Sequence, residues 1–223
     1  MNTDHIDFER QERLGFPEFV FGEGKTIEQI AGILGKFLKQ GTSCLVTRLQ
    51  EEKAGPLLEK FPGSLHDPAS CTFRLGENHP ATGNGVVAII AAGTSDAPVV
   101  AEADAVLRFL GTETRTFVDK GVAGIHRLLS SLPELKEADV VIAVAGFEGA
   151  LPSVLSGLIR QPVIGVPTSI GYGVAHGGTA ALHSMLASCA NGLTVVNIDN
   201  GFGAAIAAQR ILNLGRTTPS EKP

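Results

Sequence analysis

The sequence predicts an α/β protein: a C-terminal three-layer αβα domain on a parallel sheet, preceded by a small N-terminal α/β domain. Three observations lead there. The second half alternates short apolar runs with stretches of helical spacing, beginning with Val86 to Ala92, VVAIIAA. A continuous apolar run of this kind marks a strand buried on both faces, and such strands alternating with helices demand a parallel sheet with right-handed crossovers. A Gly/Asn/Pro cluster from Gly76 to Gly85 separates this half from a less regular first half. The domains are therefore placed at residues 1–80 and 81–217, with residues 218–223 as a polar tail expected to fray.

Taken in order, Phe19-Val20-Phe21 between Pro17 and Gly22 reads as a short strand. Lys25 to Gln40 has apolar residues at helical spacing, and Thr26 with Gln29 forms a capping-box start. Cys44 to Thr47 is a second strand. Glu51 to Phe61 is a helix broken early by Gly55-Pro56, and Cys71 to Phe73 is a third strand, giving a βαβαβ unit. After the Gly/Asn/Pro cluster come strands at 86–92, 114–118, 140–145, 163–166 and 193–198, each leading through a polar or glycine-rich loop toward a helix. The last helix runs from Phe202 to about Leu212.

Composition excludes several classes. The formal net charge of −5, with no basic run, argues against nucleic acid and anionic membrane as partners. No run of about 18 apolar residues predicts a membrane span. The opening MNTDHIDFERQER has no apolar signal-peptide core, so a cytoplasmic protein is expected. The three cysteines, Cys44, Cys71 and Cys189, are odd in number and lack CxxC spacing, which disfavours a disulfide framework or a zinc knuckle.

In an open parallel sheet, ligands sit outside the carboxyl ends of the strands. Gly93-Thr94-Ser95-Asp96 follows one strand and opens a helix, a natural phosphate site, although Ser95 or Asp96 as a helix cap explains the residues equally. Glu148, between Gly146 and Gly149, is a candidate base or metal ligand, or simply a carboxylate favoured by a helix dipole. His126-Arg127 alone is most simply a solvated helix face. Thr168-Ser169 and Tyr172 form a glycine-rich binding loop, with Tyr172, the one tyrosine, able to stack on a flat ring. The stretch from His183 to Ala205 brings Cys189, then Asn197, Asp199 and Asn200, to the last strand and helix. The loops are expected to converge there, with Cys189 as nucleophile. Cys44 and Cys71, in apolar strands, read as small buried hydrophobes.

The strings GTSD at 93–96, AGIHR at 123–127, AGFEGALP at 145–152 and GVP at 165–167 resemble, in order, the loops of PurE carboxyaminoimidazole ribonucleotide mutases. A closer resemblance is to the PurE-related LarB family, pyridinium-3,5-biscarboxylate mononucleotide synthases of nickel-pincer cofactor biosynthesis. It is carried by FEGALPS at 147–153, PTSIGYG at 167–173, SMLASC at 184–189, VVNIDNGFGAA at 195–205 and FGEGKT at 21–26. The resemblance implies a flavodoxin-like, AIR-carboxylase-like catalytic domain in a homo-octamer. It implies a carboxylase and hydrolase that adds carbon dioxide, or bicarbonate, to carbon 5 of the pyridinium ring of nicotinic acid adenine dinucleotide and releases AMP.

A pyridinium carbon is too electron-poor to attack carbon dioxide. Addition of the Cys189 thiolate to the ring would make an enamine carbon that can, after which expulsion of the thiolate restores aromaticity. Gly93, Thr94, Ser95 and Asp96 would then hold nucleotide phosphate, with Mg2+ or another divalent cation for which Asp96 is the candidate ligand. Glu148 would take the ring proton or organise the hydrolytic water. Gly146, Thr168, Ser169 and Tyr172 would line the substrate, with Asn197, Asp199 and Asn200 near Cys189. His126 and Arg127 match the mutase SAHR motif, but Gly124-Ile125 replaces Ser-Ala. Two other readings stand beside this one: a PurE-type mutase, against which Glu148, Cys189 and the extra domain count, and a nucleotide-binding module without chemistry.

Overall fold

A computed structural model describes residues 6–214; the expected frayed tail lies outside the described residues. After a short helix α1 (Arg10–Leu14), strand β1 (Val20–Phe21) leads into helix α2 (Ile27–Gln40). The predicted capping box is present: the Thr26 hydroxyl accepts the Gln29 N–H, and the Gln29 amide oxygen accepts the Thr26 N–H at 2.9 Å. Strand β2 (Cys44–Thr47) and helix α3 (Glu51–Lys60) follow. The helix runs straight through Gly55-Pro56, contrary to expectation. Pro56 and Glu52 both face solvent, so water can take the carbonyl that Pro56 cannot.

The third strand of the small sheet differs from the sequence expectation. Strand β3 (Leu65–Asp67) is the one that follows α3, and β4 (Thr72–Leu75) turns back antiparallel to lie between β2 and β3. The sheet is thus mixed, in the order β1-β2-β4-β3. Sequence missed β3 because its Leu-His-Asp is largely exposed and has no apolar alternation. Cys71, expected in a buried strand, instead occupies the exposed turn before β4 with φ +50°. Cys44 is fully buried, as expected.

The second half comprises β5 (Val86–Ala91), α4 (Ala97–Phe109), β6 (Glu113–Phe117), α5 (Ile125–Leu135), β7 (Val140–Ala145), α6 (Ala150–Ser156), β8 (Val163–Pro167), α7 (Thr179–Leu186), β9 (Thr194–Val195) and α8 (Gly201–Asn213). Its five strands are all parallel, in the order β6-β5-β7-β8-β9. Alternate residues of the central strands feed two cores. Val87, Ile89, Ile142 and Val144 pack under α4 and α8, while Ala88, Ile90, Val141 and Ala143 pack under α5, α6 and α7. This is the predicted three-layer arrangement. Strand β9 is shorter than the expected 193–198. It is an edge strand, and the Asn197 side chain takes the Ile198 N–H at 2.9 Å, turning the backbone out of the sheet.

The two sheets share a core. Phe16 and Leu45 from the first half belong to the cluster under α4 and α8, and the Phe19 ring packs edge-on against Phe109 and Phe202. This places the β2–α3 corner against the carboxyl ends of the large sheet's strands.

Candidate active site

The chain reverses its order of strand addition between β5 and β7, and the loops leaving those strands part to form a crevice. The strand exits are joined by hydrogen bonds. The Asp96 carboxylate accepts the Gly93 N–H at 2.9 Å and the Thr168 hydroxyl at 2.7 Å, tying the β5 exit to the β8 exit. Phe147 N–H donates to the Ile170 carbonyl at 2.8 Å, tying β7 to the same loop. Ser169 N–H donates to Asp199 Oδ1 at 2.8 Å, tying in β9. Gly146 is required here, because a Cβ would strike the Ile170 carbonyl and the Thr168 hydroxyl.

The crevice contains a cavity of about 340 Å³ whose walls include Gly93, Ser95, Asp96, Gly146 and Glu148. Glu148 is exposed to it, held between Phe147 (φ +53°) and Gly149 (φ +62°) at the start of α6. Asp96 is only 3 % exposed. Burial pushes its carboxyl above the usual range, and the hydrogen bonds from Thr168 and Gly93 hold it back. Both of its oxygens are therefore occupied by internal donors. Among the described residues no three His, Cys, Asp or Glu side chains converge to hold an ion. A cage built on Asp96 does not fit these residues.

The other expected site residues separate into groups. Ser95, Ser169 and Asp199 face a second cavity, described below with its opposite wall. Thr168 is fully buried and positions Asp96; it does not line the substrate space as expected. Thr94 is exposed outside both cavities. Asn200 caps α8, its side chain accepting the Gly203 N–H at 2.8 Å, and Asn197 is spent on the bend after β9. Tyr172 stands at the rim, 77 % exposed, with its ring 5.4 Å from Phe147 and edge-on to it. His126 is exposed on α5, and Arg127 is paired with Asp119. Neither His126 nor Arg127 lines a cavity at the strand ends.

Cys189 does not sit where the loops converge. It is exposed in the connection that leads into β9, whereas the cavities lie where the strands leave the sheet, and it lines neither. Its neighbour Ser188 accepts a hydrogen bond from the Ser153 hydroxyl at 2.7 Å, which holds this connection against α6. Nearness in the chain to Asp199 is not nearness in space, because β9 and the bend after it separate the two.

The structure adds residues that sequence reading passed over. The second cavity, about 410 Å³, opens between the two sheets and brings Arg48, Gln50 and Cys71 of the first half to face Ser95, Ser169 and Asp199. Arg48 (φ +51°) donates through Nε to Glu102 Oε1 at 3.3 Å and through its other arm to the Asp199 carbonyl. Glu102 is 5 % exposed, and its second oxygen accepts the Phe202 N–H at 3.1 Å. A carboxylate on the apolar face of α4, beside Val100, Ala103 and Val106, was the available signal, since a buried acid requires a partner.

Fold and site define a doubly wound α/β protein whose ligand crevice lies at the switch point of a parallel sheet, roofed in part by a second, mixed sheet. The profile of the AIR carboxylase family matches residues 86–222, and that of the LarB/PurE-like N-terminal domain matches residues 1–77. The chain belongs to the AIR carboxylase family and carries a LarB-type N-terminal domain before it. It is 41 % identical over 217 residues to an uncharacterized protein of Methanocaldococcus jannaschii, covering 94 % of this chain and 84 % of that one. It is 33 % identical over 132 residues to the N5-carboxyaminoimidazole ribonucleotide mutase of the same organism, covering 58 % of this chain and 80 % of the mutase. The crystal structure of Treponema denticola PurE shares the fold, with a TM-score of 0.50 and 22 % identity over 59 % of this chain and 82 % of that one. The relatives place the chain among carboxylase-related enzymes. Among the described residues no helix is long and apolar enough to cross a membrane.

Proposed function

We propose that the protein carboxylates carbon 5 of the pyridinium ring of nicotinic acid adenine dinucleotide and hydrolyses the phosphoanhydride to release AMP, leaving a pyridinium-3,5-biscarboxylate mononucleotide. The observation that carries this reading is the placement of the LarB-type domain: Arg48, Gln50 and Cys71 form a wall of the space at the strand exits. The LarB-type domain is therefore built into the site, which favours a larger substrate than a single-domain mutase would take.

In this reading a thiolate adds to the ring, forming a C–S bond and sending a ring electron pair to nitrogen. The resulting enamine carbon attacks carbon dioxide. Loss of the proton at that carbon returns the electron pair, breaks the C–S bond and restores the aromatic ring. Glu148, exposed in the crevice, would accept the proton. The Ser95 hydroxyl and the N–H groups of Thr94 and Ser95, at the exit of β5, would receive phosphate oxygens. A divalent cation, where the hydrolysis uses one, would arrive on the pyrophosphate, since this chain builds no cage for it. The thiol is assigned to Cys189. Because Cys189 of one chain lines neither cavity, the assignment requires the α7–β9 connection of a second copy, in keeping with an oligomer such as the homo-octamer.

The test is product analysis after incubation with the dinucleotide, bicarbonate and Mg2+. AMP and a dicarboxylated pyridinium mononucleotide are expected, both lost in Cys189→Ala. The identity with a mutase supports a second reading on the same fold. Isomerisation of carboxyaminoimidazole ribonucleotide, with the dinucleotide untouched, would establish it. AMP binding without turnover of either substrate would leave a binding module.

A further inference from the structure

The two cavities adjoin, and they share Ser95 and Ile170 in their walls. One lies at the switch point within the large domain, the other between the domains. Their volumes, about 340 and 410 Å³, each fall in the range of about 300–1,000 Å³ usual for small-ligand sites. Ser95 at the junction is exposed, and its hydroxyl bonds to none of the described residues.

We infer that the site is two-chambered and takes a dinucleotide with one nucleotide half in each chamber and the phosphoanhydride across Ser95. The interdomain chamber holds the leaving nucleoside monophosphate by its nucleoside end. This inference rests on the proposed dinucleotide substrate and assigns a role to the N-terminal domain.

The chemistry of the interdomain chamber supports a nucleoside rather than a phosphate. Arg48 is its cation, and that charge is already committed to Glu102 and lies 4.0 Å from Glu23. With Asp199 also on the wall, acidic groups outnumber the arginine, so phosphate is disfavoured there. Phosphate is instead assigned to the junction, where the exposed Ser95 hydroxyl bonds to none of the described residues. Pro98, Val99 and Ile170 offer apolar surface to a flat base. Gln50, exposed on the opposite wall and making no cap bond to α3, offers both a donor and an acceptor to the base edge.

Cys71 on that wall reports occupancy. The full chain is alkylated with iodoacetamide and mapped by peptide mass, with Cys44 as the buried control. AMP at about ten times its dissociation constant should slow alkylation of Cys71 about ten-fold. Nicotinic acid mononucleotide should leave the Cys71 rate unchanged. In Gln50→Trp, whose indole fills the chamber, the dissociation constant for AMP should rise at least about ten-fold while that for nicotinic acid mononucleotide stays the same. An unchanged Cys71 rate with AMP bound, or unchanged AMP affinity in a folded Gln50→Trp chain, overturns the inference. The two readings fail separately. Dinucleotide turnover with Cys71 unprotected removes the chamber assignment and leaves the carboxylase. Cys71 protected by AMP in a chain that carboxylates nothing removes the carboxylase and leaves the chamber.

Discussion

Asp96 and Thr168 form a buried pair whose loss can be read directly. Thr168→Val keeps the shape but leaves an Asp96 oxygen without its donor, so unfolding free energy should fall by about 1–3 kcal/mol. Denaturant titration checks the value, and a loss below about 0.5 kcal/mol would mean that water replaces the hydroxyl. Glu102 makes a pH-dependent prediction. Burial pushes its carboxyl above the ordinary value of 4.5, and Arg48 opposes the shift. The folded chain therefore holds a proton that the unfolded chain releases, and between 4.5 and the raised value stability from this group falls as pH rises. Glu102→Gln removes that dependence. The Tm of the variant minus that of the parent should shift in favour of the variant as pH rises through this window, and a constant difference would contradict the assignment.

At the scale of elements, the loop from Thr168 to Ile170 is the part that several strand exits share. Gly146→Ala pushes a methyl into the Ile170 carbonyl and the Thr168 hydroxyl, so the loop must yield. The expected outcome is a fall of about 10²-fold in kcat/KM, as for a small misplacement of positioning groups, with Glu148 and Cys189 untouched. Activity equal to the parent would show that the loop is not part of the site. The elements of the large domain were legible because their strands are buried on both faces and read as apolar runs. The small domain was less so. The exposed Leu65–Asp67 strand carries no periodic signal, and Cys71 looks like a strand residue until its positive φ is known. Of the site, the glycine and acid at each strand exit could be read from sequence. Arg48 and Gln50 could not, since what gathers them with Glu102 is the docking of one sheet on another. Cys189 failed for the converse reason: a chain that runs along β9 moves from the entry end of the strands to their exit end.

For the whole molecule, the separation of Cys189 from Glu148 within one chain yields a test of the assembly. Neither Cys189→Ala nor Glu148→Gln should turn over the dinucleotide alone. Co-expressed so that oligomers mix, the two should recover part of the parental rate, because some sites then combine an intact thiol with an intact carboxylate. No recovery in oligomers shown to be mixed would place both groups in one chain. The aromatic contact between the halves bears on biosynthesis. Phe19 immediately precedes β1, and one of its two ring partners, Phe202, lies in α8. That contact closes a long loop, and such closures slow folding. During translation the first sheet leaves the ribosome well before α8 exists, with Phe16, Phe19 and Leu45 still lacking that half of their eventual surroundings. The same joint that completes the site therefore closes only after α8 has been made.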